Sequence, residues 1–187
     1  MKEIKRQVFR TILENNYVAY IIYIAMIAVC HLVAFFTRGA LDLRLVVLEV
    51  IFVLAFLLHA ADSLHKYYSF CQLFKKTMYA TGLHEELTDD FKRAHALWDG
   101  CVLIGEKYVY TFVFKTAVLP VSEVKKFTYS CKKVPLSGVS TYNIILHEEH
   151  TYLEIARRPT TKYKESSIRE EIEFANSLIQ KREPFVT

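Results

Sequence analysis

The sequence predicts a membrane α-helical hairpin followed by a cytosolic α+β domain, in which an antiparallel sheet or partial barrel packs against a C-terminal helix. Three observations predict it: two long apolar runs before residue 62, a switch from helical to alternating periodicity near Leu97, and an amphipathic helical pattern close to the end of the chain. Of the 187 residues, 52% are hydrophobic, a share high for a soluble chain, and most of the excess falls between Tyr17 and Ala61. The organisation follows: an N-terminal segment with the hairpin over 1–61, a juxtamembrane helical connector over 62–96, and a β-rich domain over 97–187.

Composition also excludes several classes. Cys30, Cys71, Cys101 and Cys131 stand singly, without a C-x-x-C pair or the dense spacing of a disulfide scaffold, and read as reduced, buried small hydrophobes. A net charge of +4 is modest and its basic residues are spread among acids, so nucleic acid is not an expected partner.

The first span is Tyr17 to Phe36, twenty residues without a formal charge. As a helix it covers about 30 Å, the thickness of a bilayer core. A cleaved signal peptide has a shorter apolar region and a small-residue site, which Thr37-Arg38-Gly39-Ala40 fits poorly. The second span, Leu45 to Ala61, is short and contains Glu49, but only residues 37–44 separate it from the first, the length of a tight antiparallel connection. Lys2, Lys5, Arg6 and Arg10 precede the first span and Lys66, Lys75, Lys76, Lys92 and Arg93 follow the second, against Arg38 and Arg44 between them. The positive-inside rule therefore expects both termini in the cytosol of a multi-pass cell-membrane protein. Tyr17, Tyr20 and Tyr23, with Tyr67 and Tyr68, suit the headgroup level.

Polar side chains inside a bilayer are costly, which makes His31 and Glu49 informative. Counted from the turn they lie at similar depth and are placed to pair. Such a pair serves either as an ion- or proton-responsive site or as an interhelical hydrogen bond, typically worth about 0.6–2 kcal/mol.

Beyond Ala61, Leu64, Tyr67, Cys71, Phe74 and Met78 recur at spacings of three and four, continuing a helix out of the membrane to a stop at Gly82. This stripe packs against its own domain, lies along lipid, or forms a dimer seam; in the lipid case Lys66, Lys75 and Lys76 face anionic headgroups. Leu83, Leu87, Phe91 and Ala94 predict a second, shorter helix.

Strands are expected near Leu97–Ile104, Lys107–Phe114, Ala117–Val121, Lys125–Cys131, Ser140–His147 and Thr151–Arg157. Gly105-Glu106 makes a tight hairpin between the first two and the His147–His150 tetrad does so between the last two, while Pro135 and Gly138 mark a longer loop. The closing helix has Ile168, Ile172, Ala175 and Ile179 on one face, a capping box of Ser167 and Glu170, and Lys181 and Arg182 at its C-terminal end before Pro184.

The Trp98-Asp99-Gly100 entry strand, the YVYTFVF strand, the AVLPVSEVKKF segment, the last hairpin and the closing helix together resemble the bacterial pleckstrin-homology-like (PH-like) domains. In those families an aromatic strand leads to a Pro-Val/Leu-Ser-x-Ile/Val step, and Leu119-Pro120-Val121-Ser122-Glu123-Val124 looks like it. The whole chain is similar to uncharacterised two-span bacterial membrane proteins carrying such a domain. The resemblance covers roughly residues 97–182 and implies seven strands, against the six read here; the first hairpin lacks the Lys/Arg cluster with which some eukaryotic relatives hold inositol phosphates.

No G-x-S-x-G, H-E-x-x-H or phosphate-cradling glycine loop occurs, and neither catalytic residues, a cofactor nor a metal is expected. His59, Asp62 and His65 wind partly around a helix rather than sharing the i, i+4 face of a metal pair, and His147 to His150 fall in one turn. Lys125, Lys126, Lys132 and Lys133, with Arg157 and Arg158, form either a basic surface facing membrane or partner, or a solvated strand edge guarded by lysines. The expected role is a non-catalytic, membrane-anchored interaction or scaffold module whose partners are the bilayer and an unidentified protein or peptide, with homo-oligomerisation left open. The alternative is an oligomeric membrane sensor or transport accessory built on His31 and Glu49.

Overall fold

The computed structural model describes residues 1–36, 43–133 and 139–181. The expected inter-span turn with Arg38, the loop at Pro135 and Gly138, and Arg182 with Pro184 lie outside them. Two compact units result, Ile12–His65 and a second made of Met1–Thr11 with the residues from Lys66 onward.

Two long helices, α1 (Lys2–Phe36) and α2 (Leu43–Thr81), contain the apolar stretches, and scarcely any of either stretch is buried. A core helix of a soluble protein buries such a surface, so the exposure, together with length and composition, marks two helices long and apolar enough to cross a membrane. Helix α1 begins well ahead of the expected span. Ile4 and Val8, four residues apart on one face, are buried within the second unit.

Helix α2 continues without a break to Thr81 and stops at Gly82, whose φ of +67° suits a residue without a Cβ. Its buried face differs from the expected stripe. Leu64 is exposed and Tyr67, Cys71 and Met78 are half-buried, whereas Phe70 and Phe74 are each 1% exposed. These two rings join Phe91 of α3 (His84–Arg93) and Tyr110 and Phe112 of the sheet domain in a chain of edge-on and tilted contacts, 5.0–6.1 Å between centroids.

Among the described residues the sheet domain has seven strands. β1 (His95–Leu97), β2 (Val102–Ile104), β3 (Tyr108–Thr111) and β4 (Ala117–Pro120) form one antiparallel sheet in sequence order; β5 (Lys126–Lys133), β6 (Ser140–His147) and β7 (Tyr152–Pro159) form the other. A 3-10 turn, Val121–Glu123, separates them. The single strand expected over Leu97–Ile104 is therefore two. Trp98, Asp99 and Gly100 all have positive φ (51°, 53° and 76°), and the amide of Cys101 donates to the carbonyl of Trp98 at 3.1 Å. Asp99-Gly100 is thus the centre of a type I′ turn, which folds β1 back on β2.

The Gly105 hairpin forms between β2 and β3, and Asp90 of α3 explains its glycine. The Asp90 carboxylate is buried and accepts from the amides of Lys107 (2.9 Å) and Tyr108 (3.3 Å) and from the Tyr110 hydroxyl (2.8 Å). Burial above all, and then this carboxylate, drive the Tyr110 hydroxyl far above its usual range. A Cβ on Gly105 would overlap the Asp90 carboxylate, so the turn tolerates no side chain while those bonds are made.

The closing helix α4 (Glu165–Gln180) buries Ile168, Ile172, Ala175 and Ile179 as expected. The capping box is not formed, because Lys164 is the N-cap and Ser167 already lies inside the helix. The helix starts earlier because Glu165, favoured at a helix N-terminus, is held there by the Tyr129 hydroxyl (2.7 Å) and Arg169 (3.3 Å).

Gly105→Ala is expected to destabilise the sheet domain by about 3 kcal/mol or more, since relief of the clash breaks the Asp90 bonds. Gly82→Ala, where a Cβ meets nothing within 4 Å, should cost only the backbone strain of about 1–2 kcal/mol. Thermal unfolding in detergent followed by near-ultraviolet circular dichroism separates them; equal losses would contradict the steric argument.

Candidate functional site

Within the hairpin unit, Nε2 of His31 lies 3.0 Å from Oε1 of Glu49. Toward the other end a second set of polar groups joins the two helices. Asn16 Oδ1 sits 3.0 Å from His59 Nε2, Asn16 Nδ2 donates to Ser63 Oγ at 3.3 Å and to the Ile12 carbonyl at 2.8 Å, and the Tyr20 hydroxyl donates to Ser63 Oγ at 2.8 Å. Tyr20 and Tyr23 also pack edge-on or tilted against Phe56 and His59. The rings of these tyrosines thus pack against the second helix. Asn16 and Ser63 were not singled out from sequence, although two polar residues bounding apolar runs are a usable signal. Pairing across the hairpin gives each of these side chains a hydrogen-bond partner.

In the other unit the lysines singled out from sequence do not converge. Lys66, Lys75 and Lys76 all lie on α2, but at about 100° per residue Lys75 points opposite to Lys66. Lys125 pairs with Glu149 at 3.7 Å, at the acidic turn between β6 and β7. Lys126 and Lys132 stand near opposite ends of β5, six residues or roughly 20 Å apart, and Lys133 falls on the other face from both.

Arg158 departs from the expected surface position, being 5% exposed. A bulge is the cause. Ile144 pairs with Ala156 but Ile145 pairs with Glu154, leaving Ile155 as an extra residue in β7. The inward phase is odd before the bulge and even after it, and Arg158 is carried into the interior opposite Tyr142. There its guanidinium meets Asp99 Oδ2 (3.3 Å), donates to the Arg157 carbonyl (3.0 Å) and lies 5.4 Å from the centre of the Tyr163 ring, whose hydroxyl donates to the same Asp99 oxygen at 2.7 Å. Glu171 of α4 borders this group, and burial pushes its carboxyl above the usual range, with Asp99 adding and Arg158 opposing.

Beside α4, the Asn176 side chain grips the backbone of Phe127: the amide of Phe127 donates to Oδ1 at 2.7 Å and Nδ2 donates to its carbonyl at 3.1 Å. Both backbone groups of Phe127 therefore point away from β6. Alternation along an antiparallel strand turns those of Tyr129, Cys131 and Lys133 the same way, along an edge that carries no strand among the described residues. An edge of this kind accepts an extended peptide through main-chain bonds.

Comparison with protein-family models, with curated proteins and with solved structures returned no match.

Glu171→Gln tests the buried charge cluster. A carboxyl whose pKa is raised on folding holds its proton more tightly in the native state, so it lowers stability above that pKa and the loss vanishes below the ordinary carboxylate range. The variant should be more stable than the parent at neutral pH, and the two should converge on acidification. Denaturant titrations at a series of pH values give the difference, and a gap that does not change with pH would refute it.

Proposed function

We propose that this chain is a non-catalytic, membrane-anchored interaction or scaffold module, a multi-pass protein of a bacterial cell membrane with both termini in the cytosol. The observation that carries the reading is the division of the chain. Met1–Thr11, ahead of the first apolar stretch, and the residues from Lys66, after the second, share one compact unit, while the stretches themselves share another. Both ends of the hairpin then enter the same aqueous compartment. The distribution of Lys and Arg favours the cytosolic face for it.

The seven antiparallel strands among the described residues, in groups of four and three and followed by a packing helix, agree with the strand number of a PH-like domain, and the Leu119–Val124 step falls where β4 runs into its 3-10 turn. The partial-barrel closure belongs to the same reading. Held at the inner leaflet, even a weak binding edge works at high local concentration. The β5 edge beside α4 is the surface we assign to the protein or peptide partner.

A second reading, an oligomeric membrane sensor or transport accessory, is favoured by one observation, the 3.0 Å approach of His31 to Glu49.

The chain should stay in the pellet when membranes are washed at alkaline pH. Cys131, exposed on β5, should resist an impermeant maleimide in intact cells and react once detergent is added. Release by alkali defeats the anchor, and labelling in intact cells defeats the orientation.

A further inference from the structure

We infer that the hairpin pairs with a second copy of this chain through His31 and Glu49, inside the bilayer. The inference rests on the membrane reading of the hairpin and names the partner for one of its faces.

His31 lies five residues, or about 7–8 Å, within the Phe36 end of the apolar stretch. Its side chain is 69% exposed and that of Glu49 29%, although they touch each other. In a lone hairpin this polar pair therefore faces hydrocarbon, which offers it nothing. The 3.0 Å contact uses one polar atom of each group, whereas an imidazole ring has two nitrogens and a carboxyl group two oxygens.

A second copy meets that need with the same two residues. Under two-fold symmetry each His31 ring meets its own Glu49 through Nε2 and the carboxyl group of the partner's Glu49 through Nδ1. The result is a closed ring of four polar side chains. The patch is self-complementary, which a partner of unrelated sequence would match only by carrying both groups at the same depth. The surroundings suit close approach: Ala28 and Ala34, three residues either side of His31, are small and exposed.

The full chain, labelled at its N-terminus with donor or acceptor dyes and reconstituted in phosphatidylcholine–phosphatidylglycerol vesicles, tests this by energy transfer across a protein-to-lipid dilution series. The parent chain should give a dimer isotherm, weakened roughly tenfold by His31→Leu or Glu49→Leu as two interhelical hydrogen bonds are lost. Ala28→Phe should weaken it too, by obstructing approach without touching the pair. A parent chain that is monomeric throughout, or a double Leu variant that dimerises as well as the parent, overturns the proposal. Leucine favours insertion, so all variants should float with the vesicles; a parent chain that does not float overturns instead the membrane reading beneath it.

Discussion

The guanidinium of Arg158, almost wholly withdrawn from water, makes the strictest demand in the sheet domain. A buried charge is tolerated only when paired and hydrogen-bonded, and removing its partner commonly costs about 3–5 kcal/mol. Asp99 comes from the turn of the first sheet, Arg158 from the last strand of the second and Tyr163 from the segment before α4. Three separate pieces of chain must be in register for that charge to be accommodated. The left-handed backbone of Trp98 and Asp99, unfavourable by about 1–2 kcal/mol each, is maintained because it delivers Asp99 to this position. Trp98 is itself buried against Phe127, so the same turn also contributes a large apolar surface to the core.

The Asp90 carboxylate makes a parallel demand in the first sheet, satisfied from a single hairpin. Because Gly105 has no side chain, α3 can press its carboxylate onto the turn and order Lys107 and Tyr108 with it. The hairpin unit applies the same rule between two helices. Its helices satisfy their own backbone, and the polar side chains of Asn16, Tyr20, His59 and Ser63 satisfy one another across the pair.

What was legible in the sequence follows from which interactions leave a periodic trace. Two apolar stretches, the β-branched and aromatic runs that become β3 to β7, the Gly105 and His147 turns and the apolar face of α4 are each marked by residue type, and each appears where it was expected. The β1–β2 turn was missed although Asp-Gly is a strong hairpin signal. Its flanking strands are three residues each, too short for alternation to register, and Trp98 reads as a strand former. The bulge at Ile155 leaves no mark either, since Ile and Ala suit either phase of a strand; the displacement of Arg158 to the interior was unreadable for that reason. Ser167 and Glu170 have the spacing of a capping box, but a local pattern yields to the tertiary bonds that hold Glu165.

The two surfaces assigned to partners differ in the physics that would make them recognisable. In hydrocarbon, recognition has to come from side chains, because the helix backbone is already satisfied; a His and a Glu at matching depth are therefore conspicuous in the sequence. Along β5 the groups that a partner strand would meet are backbone N–H and C=O, which every residue but proline possesses, so nothing in the identities of Tyr129, Cys131 and Lys133 advertises them. Only the Asn176 clamp reveals which way the strand faces, by occupying both backbone groups of Phe127. A side chain that imitates a neighbouring strand at one residue thereby defines where a real one can begin, and the closing helix that supplies it fixes the register of the edge it leaves open.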